Sequence, residues 1–239
     1  MTWDENYGKL EDENHHDHQE DPSNITPEPV QNLQNAYKTC FRNGDILICG
    51  IISSLFEASM YIFVFLWTPK LESLSYDTLP NDISIPQKSF LPHGLIFSTF
   101  MVHCMIGSSI YSLASQYLRC EILCFRILVL ATISMCILDQ SQTQQECMMG
   151  MNLFETCVGM YFPAMGTMKS TIVPENQRSA IYNMYRIPMN FIVLTSLIWS
   201  FENHVALRWN TIMIGFGCLL QWKLMKNRSV KEPDTLGSQ

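Results

Sequence analysis

Long apolar runs separated by short polar links set the pattern of this chain. From Ile46 the sequence reads ILICGIISSLFEASMYIFVFLWTP, about the 20 residues that a helix needs to cross roughly 30 Å of hydrocarbon. This predicts a first span over 45–68. The stretch from Pro69 to Pro92 is polar and punctuated by proline, which predicts a loop. Further spans follow at 93–115, 122–138, 147–168, 179–200 and 206–223. Their links are the turn around Arg119 to Glu121, the Gln-rich DQSQTQQE, the KSTIVPENQR segment broken by Pro174, and a short polar joint before span six. Pro188 falls inside span five, where a kink is tolerated if neighbouring helices satisfy the freed backbone. The predicted class is an all-α membrane protein, with a six-helix bundle over 45–225 and a polar tail over 226–239.

Composition supports membrane residence, since 47% of the residues are hydrophobic and only 15% charged, against about 25% charged in soluble domains. The net charge of −7 is unevenly placed. Residues 1–36 hold nine Asp and Glu against Lys9 alone, which leaves +1 for everything after them. With almost no aliphatic content, that arm is expected to be a flexible cytosolic segment. It opens polar and acidic, without the basic and then apolar pattern of a secretory signal, so insertion is expected to rely on the internal helices. The nine cysteines lie mostly in apolar runs without CxxC or His/Cys spacing, and are expected to act as small apolar filler.

Lys and Arg near the ends of short loops are retained on the cytosolic side. One face collects Lys38, Arg42, Arg119, Lys169, Arg178 and the basic tail from Lys223 to Lys231, whereas the other has Lys70, Lys88 and Arg208. Both termini are therefore expected to be cytosolic, in agreement with an even number of spans.

A charge near the bilayer centre costs at least about 2.5–3.5 kcal/mol, so ionisable residues far from helix ends are functional candidates. Glu57, Glu155 and Arg186 qualify. Ser53 and Tyr61 lie at i−4 and i+4 from Glu57 and make one polar stripe with it. Arg186 lies about two turns inside span five, with Tyr182, Asn183 and Asn190 on the same face. Its planar fork of donors suits an oxyanion such as a carboxylate, phosphate, sulfate or molybdate. The competing reading is an ion pair between Glu155 and Arg186 that fixes spans four and five. No basic partner for Glu57 is visible nearby in sequence, so its choices are proton coupling or gating against a satisfied structural carboxyl.

Ser108 belongs to a row of small residues with Gly107 and Ser112, matched in span four by Gly159 and Gly166, where close helix packing is the first reading and substrate lining the second. The methionines from Met148 to Met168 do not share a face, so apolar filling outweighs a copper site. His15, His16 and His18 beside acidic residues read as part of the solvated arm before they read as a chelator. No metal or cofactor is therefore expected. Phosphate loops, nucleophile elbows, zinc-protease helices and nucleic-acid footprints are missing from the sequence. Glu57 and His103, on different helices, are the acid/base candidates of an embedded enzyme, and they do not form a catalytic set.

The segments LFEASMYIFVFLWTP (55–69), HGLIFSTFM (93–101), GSSIY (107–111), GMYFPAM (159–165), IVPE (172–175) and NMYRIP (183–188) together resemble the C-terminal half of the molybdate-anion transporters, a group within the major facilitator superfamily. WDENY (3–7) is similar to that family's text after its sixth helix. The resemblance implies a twelve-helix carrier of two six-helix halves with a site between them near the midplane, of which this chain supplies helices seven to twelve. Glu57, Tyr61, Ser108, Glu155, Asn183 and Arg186 match polar positions of the family pattern.

What the resemblance implies is uptake of molybdate or a similar oxyanion across the plasma membrane by alternating access, with protons as the coupling ion. The implied partners are the lipid bilayer and a complementary half, either an N-terminal half belonging to the same protein or another half-transporter. The alternative is a non-transporting half-length membrane interaction protein, or a truncated remnant, that assembles with a full-length carrier.

Overall fold

In a computed structural model, residues 28–76, 91–199 and 202–231 are described, and every regular element among them is helical. The elements are α1 (Glu28–Arg42), α2 (Gly44–Tyr76), α3 (His93–Ala114), α4 (Cys120–Gln140), α5 (Gln144–Ile172), a single 3-10 turn (Glu175–Gln177), α6 (Arg178–Ile198) and α7 (Asn203–Lys231). Each predicted span thus falls on one helix. Three of them, over Gly44–Ser75, His93–Ala114 and Cys120–Gln140, are long and apolar enough to cross a bilayer on length and composition alone. The 29 residues of α5, the 21 of α6 and the 29 of α7 carry more polar groups.

Helix α5 is the hub of one side, packed between α3 and α4, while α7 is held between α2 and α4 and α6 rests on α2. Contacts between α2 and α5 close the bundle. Aromatic rings fill this closure: Phe56 stacks on Tyr161 with centroids 3.9 Å apart, and Phe63 tilts against Phe154 at 4.9 Å. Met151, Met160, Met165 and Met168 are buried in the same core, where their unbranched chains fill irregular space. All nine cysteines are free.

Three boundaries differ from the sequence reading. The arm expected to be flexible over 1–36 is helical from Glu28 onward, because Ala36 and Cys40 bury one stripe of α1 against Ile46, Ile181 and Tyr185. The acidic and His-rich residues before it lie outside the described residues. Pro69 does not end α2, which continues to Tyr76. Leu71 and Leu74 are buried there, and Lys70 Nζ donates to the Ser141 carbonyl at 3.2 Å, so tertiary contacts offset the backbone bond that proline removes. Most of the remaining loop, 77–90, is not described. Finally, α7 runs past 223 to Lys231, held by buried Leu224 and by Arg228, whose Nε lies 3.3 Å from Glu121 Oε1.

The start of α5 is fixed locally. The Thr143 hydroxyl accepts from the Glu146 N–H at 3.2 Å, and the Glu146 carboxylate accepts from the Thr143 N–H at 3.3 Å and the Gln142 N–H at 3.0 Å. This reciprocal cap satisfies amide groups that the first turn leaves without intrahelical partners.

Candidate functional site

The polar stripe of α2 meets a cation that sequence spacing did not reveal. Glu57 Oε1 accepts from the Ser53 hydroxyl one turn earlier at 2.6 Å and from Lys169 Nζ of α5 at 3.1 Å. The Lys169 and Glu57 side chains retain 15% and 22% of their exposure, so the pair is largely withdrawn from solvent and weakly screened. Lys169 belongs to the last turn of α5, where a cation also complements the helix dipole. Its long aliphatic stem lets the ammonium reach back into the bundle.

Two aromatic rings of α6, with centroids 6.3 Å apart, stand to one side of that ammonium. Lys169 Nζ lies 5.5 Å from the Tyr182 ring centroid and 5.9 Å from that of Tyr185, within cation–π range. Tyr185 is itself anchored, since its hydroxyl donates to the Ile46 carbonyl at 2.8 Å and its carbonyl accepts from the Ser54 hydroxyl at 2.7 Å. Gly50 makes this approach possible: a Cβ there would press into the Tyr185 ring, with Cζ at 3.0 Å.

Tyr161 completes the group from α5. Its side chain is buried against Phe56, and its hydroxyl, near Ser53, makes no well-aligned hydrogen bond among the described residues. Leaving such a hydroxyl unsatisfied costs about 1–3 kcal/mol, so the site holds one donor more than it uses.

The other candidates fall elsewhere. Tyr61, at 44% exposure, stands apart from the Ser53 and Glu57 bond. The ion pair between Glu155 and Arg186 does not form. Residues 152, 155, 156 and 159 share the α5 face that meets α3, where Asn152 contacts Thr99 and a Cβ on Gly107 would press against Thr156. Glu155 is therefore buried toward α3, while Arg186, Asn183 and Asn190 are exposed on α6.

The Ser108 hydroxyl is spent on the Gly159 carbonyl at 3.2 Å, in keeping with the packing reading of that row. His103 Nδ1 lies 2.8 Å from the Thr99 carbonyl of its own helix, away from Glu57. An apolar cavity of about 280 Å³ between α2, α6 and α7 is lined by Phe191, Trp199, Trp209 and Met213 among others, and holds no charge to recognise an ion.

Sequence reasoning missed Lys169 and Tyr161. Lys169 appears there as a loop cation that orients the chain, and Tyr161 lies inside the quoted GMYFPAM segment without a role. An i, i+8 relation between Tyr161 and Lys169, two turns apart on α5, is the signal that could have linked them.

Comparison with known proteins follows the same direction. A family model described as sugar transporters with 12 transmembrane segments matches residues 1–145. A molybdate-anion transporter of Xenopus tropicalis is 30% identical over 204 residues, which is 82% of this chain and 38% of that protein. One of Danio rerio is 32% identical over 162 residues, 64% of this chain and 30% of that protein. The chain thus spans less than two fifths of the length of these relatives.

Proposed function

As the chain belongs to the twelve-span sugar-transporter family of the major facilitator superfamily, we propose that it is a secondary carrier, or one half of one, that takes molybdate or a similar tetrahedral oxyanion across the membrane by alternating access. The observation that carries this reading is a cation, Lys169, drawn into a helix bundle beside hydroxyl donors and a displaceable carboxylate. The curated relatives named for molybdate transport support it. Arg186, exposed on α6 four residues from Tyr182, supplies a second positive charge toward the transport path. Glu57 or Glu155 takes up the coupled proton. In this reading all six helices from α2 to α7 cross the plasma membrane and both termini are cytosolic.

The test is accumulation of labelled molybdate by cells that express the chain, alone and together with the N-terminal half of a twelve-span relative. Uptake above the empty-vector level in either case is expected, with a loss of at least tenfold in Lys169→Gln. Background uptake in both would refute the carrier reading. Full uptake in Arg186→Gln would remove Arg186 from the mechanism.

A second reading has a specific observation behind it. Helices α3 and α6 leave large apolar side chains exposed, including Leu95 and Met105 at 66% and 71%, and Ile187 and Phe191 at 68% and 71%. Assembly of a non-transporting half with a full carrier would cover such faces. Co-purification with a twelve-span relative, together with background uptake by the assembly, is the outcome that this reading requires.

A further inference from the structure

The oxygen at the centre of the polar group belongs to the protein. Glu57 Oε1 receives the Ser53 hydroxyl at 2.6 Å and the Lys169 ammonium at 3.1 Å, and the buried Tyr161 hydroxyl, near Ser53, makes no well-aligned hydrogen bond among the described residues. Two donors from two helices therefore meet one anionic oxygen, and a third, the Tyr161 hydroxyl, stands near one of them, Ser53, without a well-aligned acceptor. A pair selected only to hold α2 against α5 has no need of the third donor, whose burial is unfavourable. A site that accepts a tetrahedral oxyanion, with several oxygens to satisfy, does need it.

We propose that Glu57 is a tethered occupant of the oxyanion site, and that the substrate binds by displacing its carboxylate from Lys169 and Ser53 and takes the Tyr161 hydroxyl as a further donor. The inference rests on the oxyanion-carrier reading and adds the site and the competitor. The Tyr182 and Tyr185 rings lie within cation–π range of Lys169 Nζ on one side, which favours the ammonium there when its carboxylate partner leaves. Without substrate, the internal pair keeps an uncompensated charge out of the bundle. Apparent affinity is then reduced by the fraction of molecules in which Glu57 fills the site.

The experiment is titration of the purified full chain in lipid nanodiscs with sodium molybdate, by calorimetry, beside the variants Glu57→Gln, Lys169→Gln and Tyr161→Phe. Size-exclusion profile and helical circular dichroism report folding. Binding to Glu57→Gln at least about tenfold tighter than to the parent chain is expected, because the competitor is gone. Tyr161→Phe should bind about tenfold weaker, the worth of one hydrogen bond to a charged group, and Lys169→Gln should not bind. Should Lys169→Gln misfold, the exchanged variant Glu57→Lys/Lys169→Glu keeps a pair and is still expected to lose affinity. Equal or weaker binding by folded Glu57→Gln, with binding by the parent chain intact, overturns the displacement and leaves the oxyanion reading standing. Absence of binding by both the parent chain and Glu57→Gln overturns both.

Discussion

Replacing Gly159 with alanine would place a methyl group where α3 already stands. A Cβ built on Gly159 falls against the Cys104 carbonyl oxygen, with the carbonyl carbon at 2.7 Å and Cα at 2.9 Å. Carbon atoms pack at about 3.5–4.0 Å, so the α3 backbone must retreat by roughly 0.8 Å or more. The obstacle is main chain, so it cannot rotate aside. The retreat also stretches the bond from the Ser108 hydroxyl to the Gly159 carbonyl, now 3.2 Å. Overpacking costs about 1–3 kcal/mol, and a hydrogen bond between membrane helices averages about 0.6 kcal/mol.

Gly166 lies two turns later on α5, and a Cβ there meets nothing within 4 Å. Alanine relieves the same backbone entropy at both positions, about 0.5–1 kcal/mol. The difference between Gly159→Ala and Gly166→Ala therefore isolates packing, and should be about 2–3 kcal/mol with Gly159→Ala the less stable. Equilibrium unfolding of the reconstituted chain in increasing dodecyl sulfate, followed by helical circular dichroism, measures it. Equal stability of the two variants would refute the close approach of α3 and α5.

Thr143→Ala should destabilise the start of α5 by about 1 kcal/mol, read as faster amide exchange in the first turn. The bonds from the Gln142 and Thr143 amides hold the Glu146 carboxyl below its usual range. Its contribution is therefore fully present above the ordinary carboxylate pKa and fades as pH falls through the lowered value; Glu146→Gln should flatten that acid-side loss in the same exchange experiment. Tyr185→Phe removes the 2.8 Å donor to the Ile46 carbonyl and should cost about 1 kcal/mol in the dodecyl sulfate titration. Unchanged stability would mean that this bond does not anchor α6 on α2. Asn210→Ala removes the buried amide that donates to the Ser59 carbonyl at 3.0 Å, and a cost between about 0.6 and 1.7 kcal/mol is expected in that titration.

Much of this protein is local in origin and could be read directly. Apolar runs of about 20 residues dictate helices because a chain in hydrocarbon must satisfy its own backbone. The Thr143 to Glu146 spacing at the start of α5 is likewise a local signal of a helix start. The bond between Ser53 and Glu57 follows from an i, i+4 spacing on one helix. What spacing could not supply is partnership between helices. Lys169 lies 112 residues from Glu57, and in sequence it is a loop cation that reports orientation. Arg186 and Glu155 had suitable charges for each other, but α5 turns Glu155 toward α3 while α6 leaves Arg186 on its open face. The persistence of α2 beyond Pro69 was settled in the same way, by burial of Leu71 and Leu74. Local sequence determined which segments are helices and which groups they carry; tertiary packing decided which of those groups meet, because the rotation and depth of each helix are set by the neighbours it packs against.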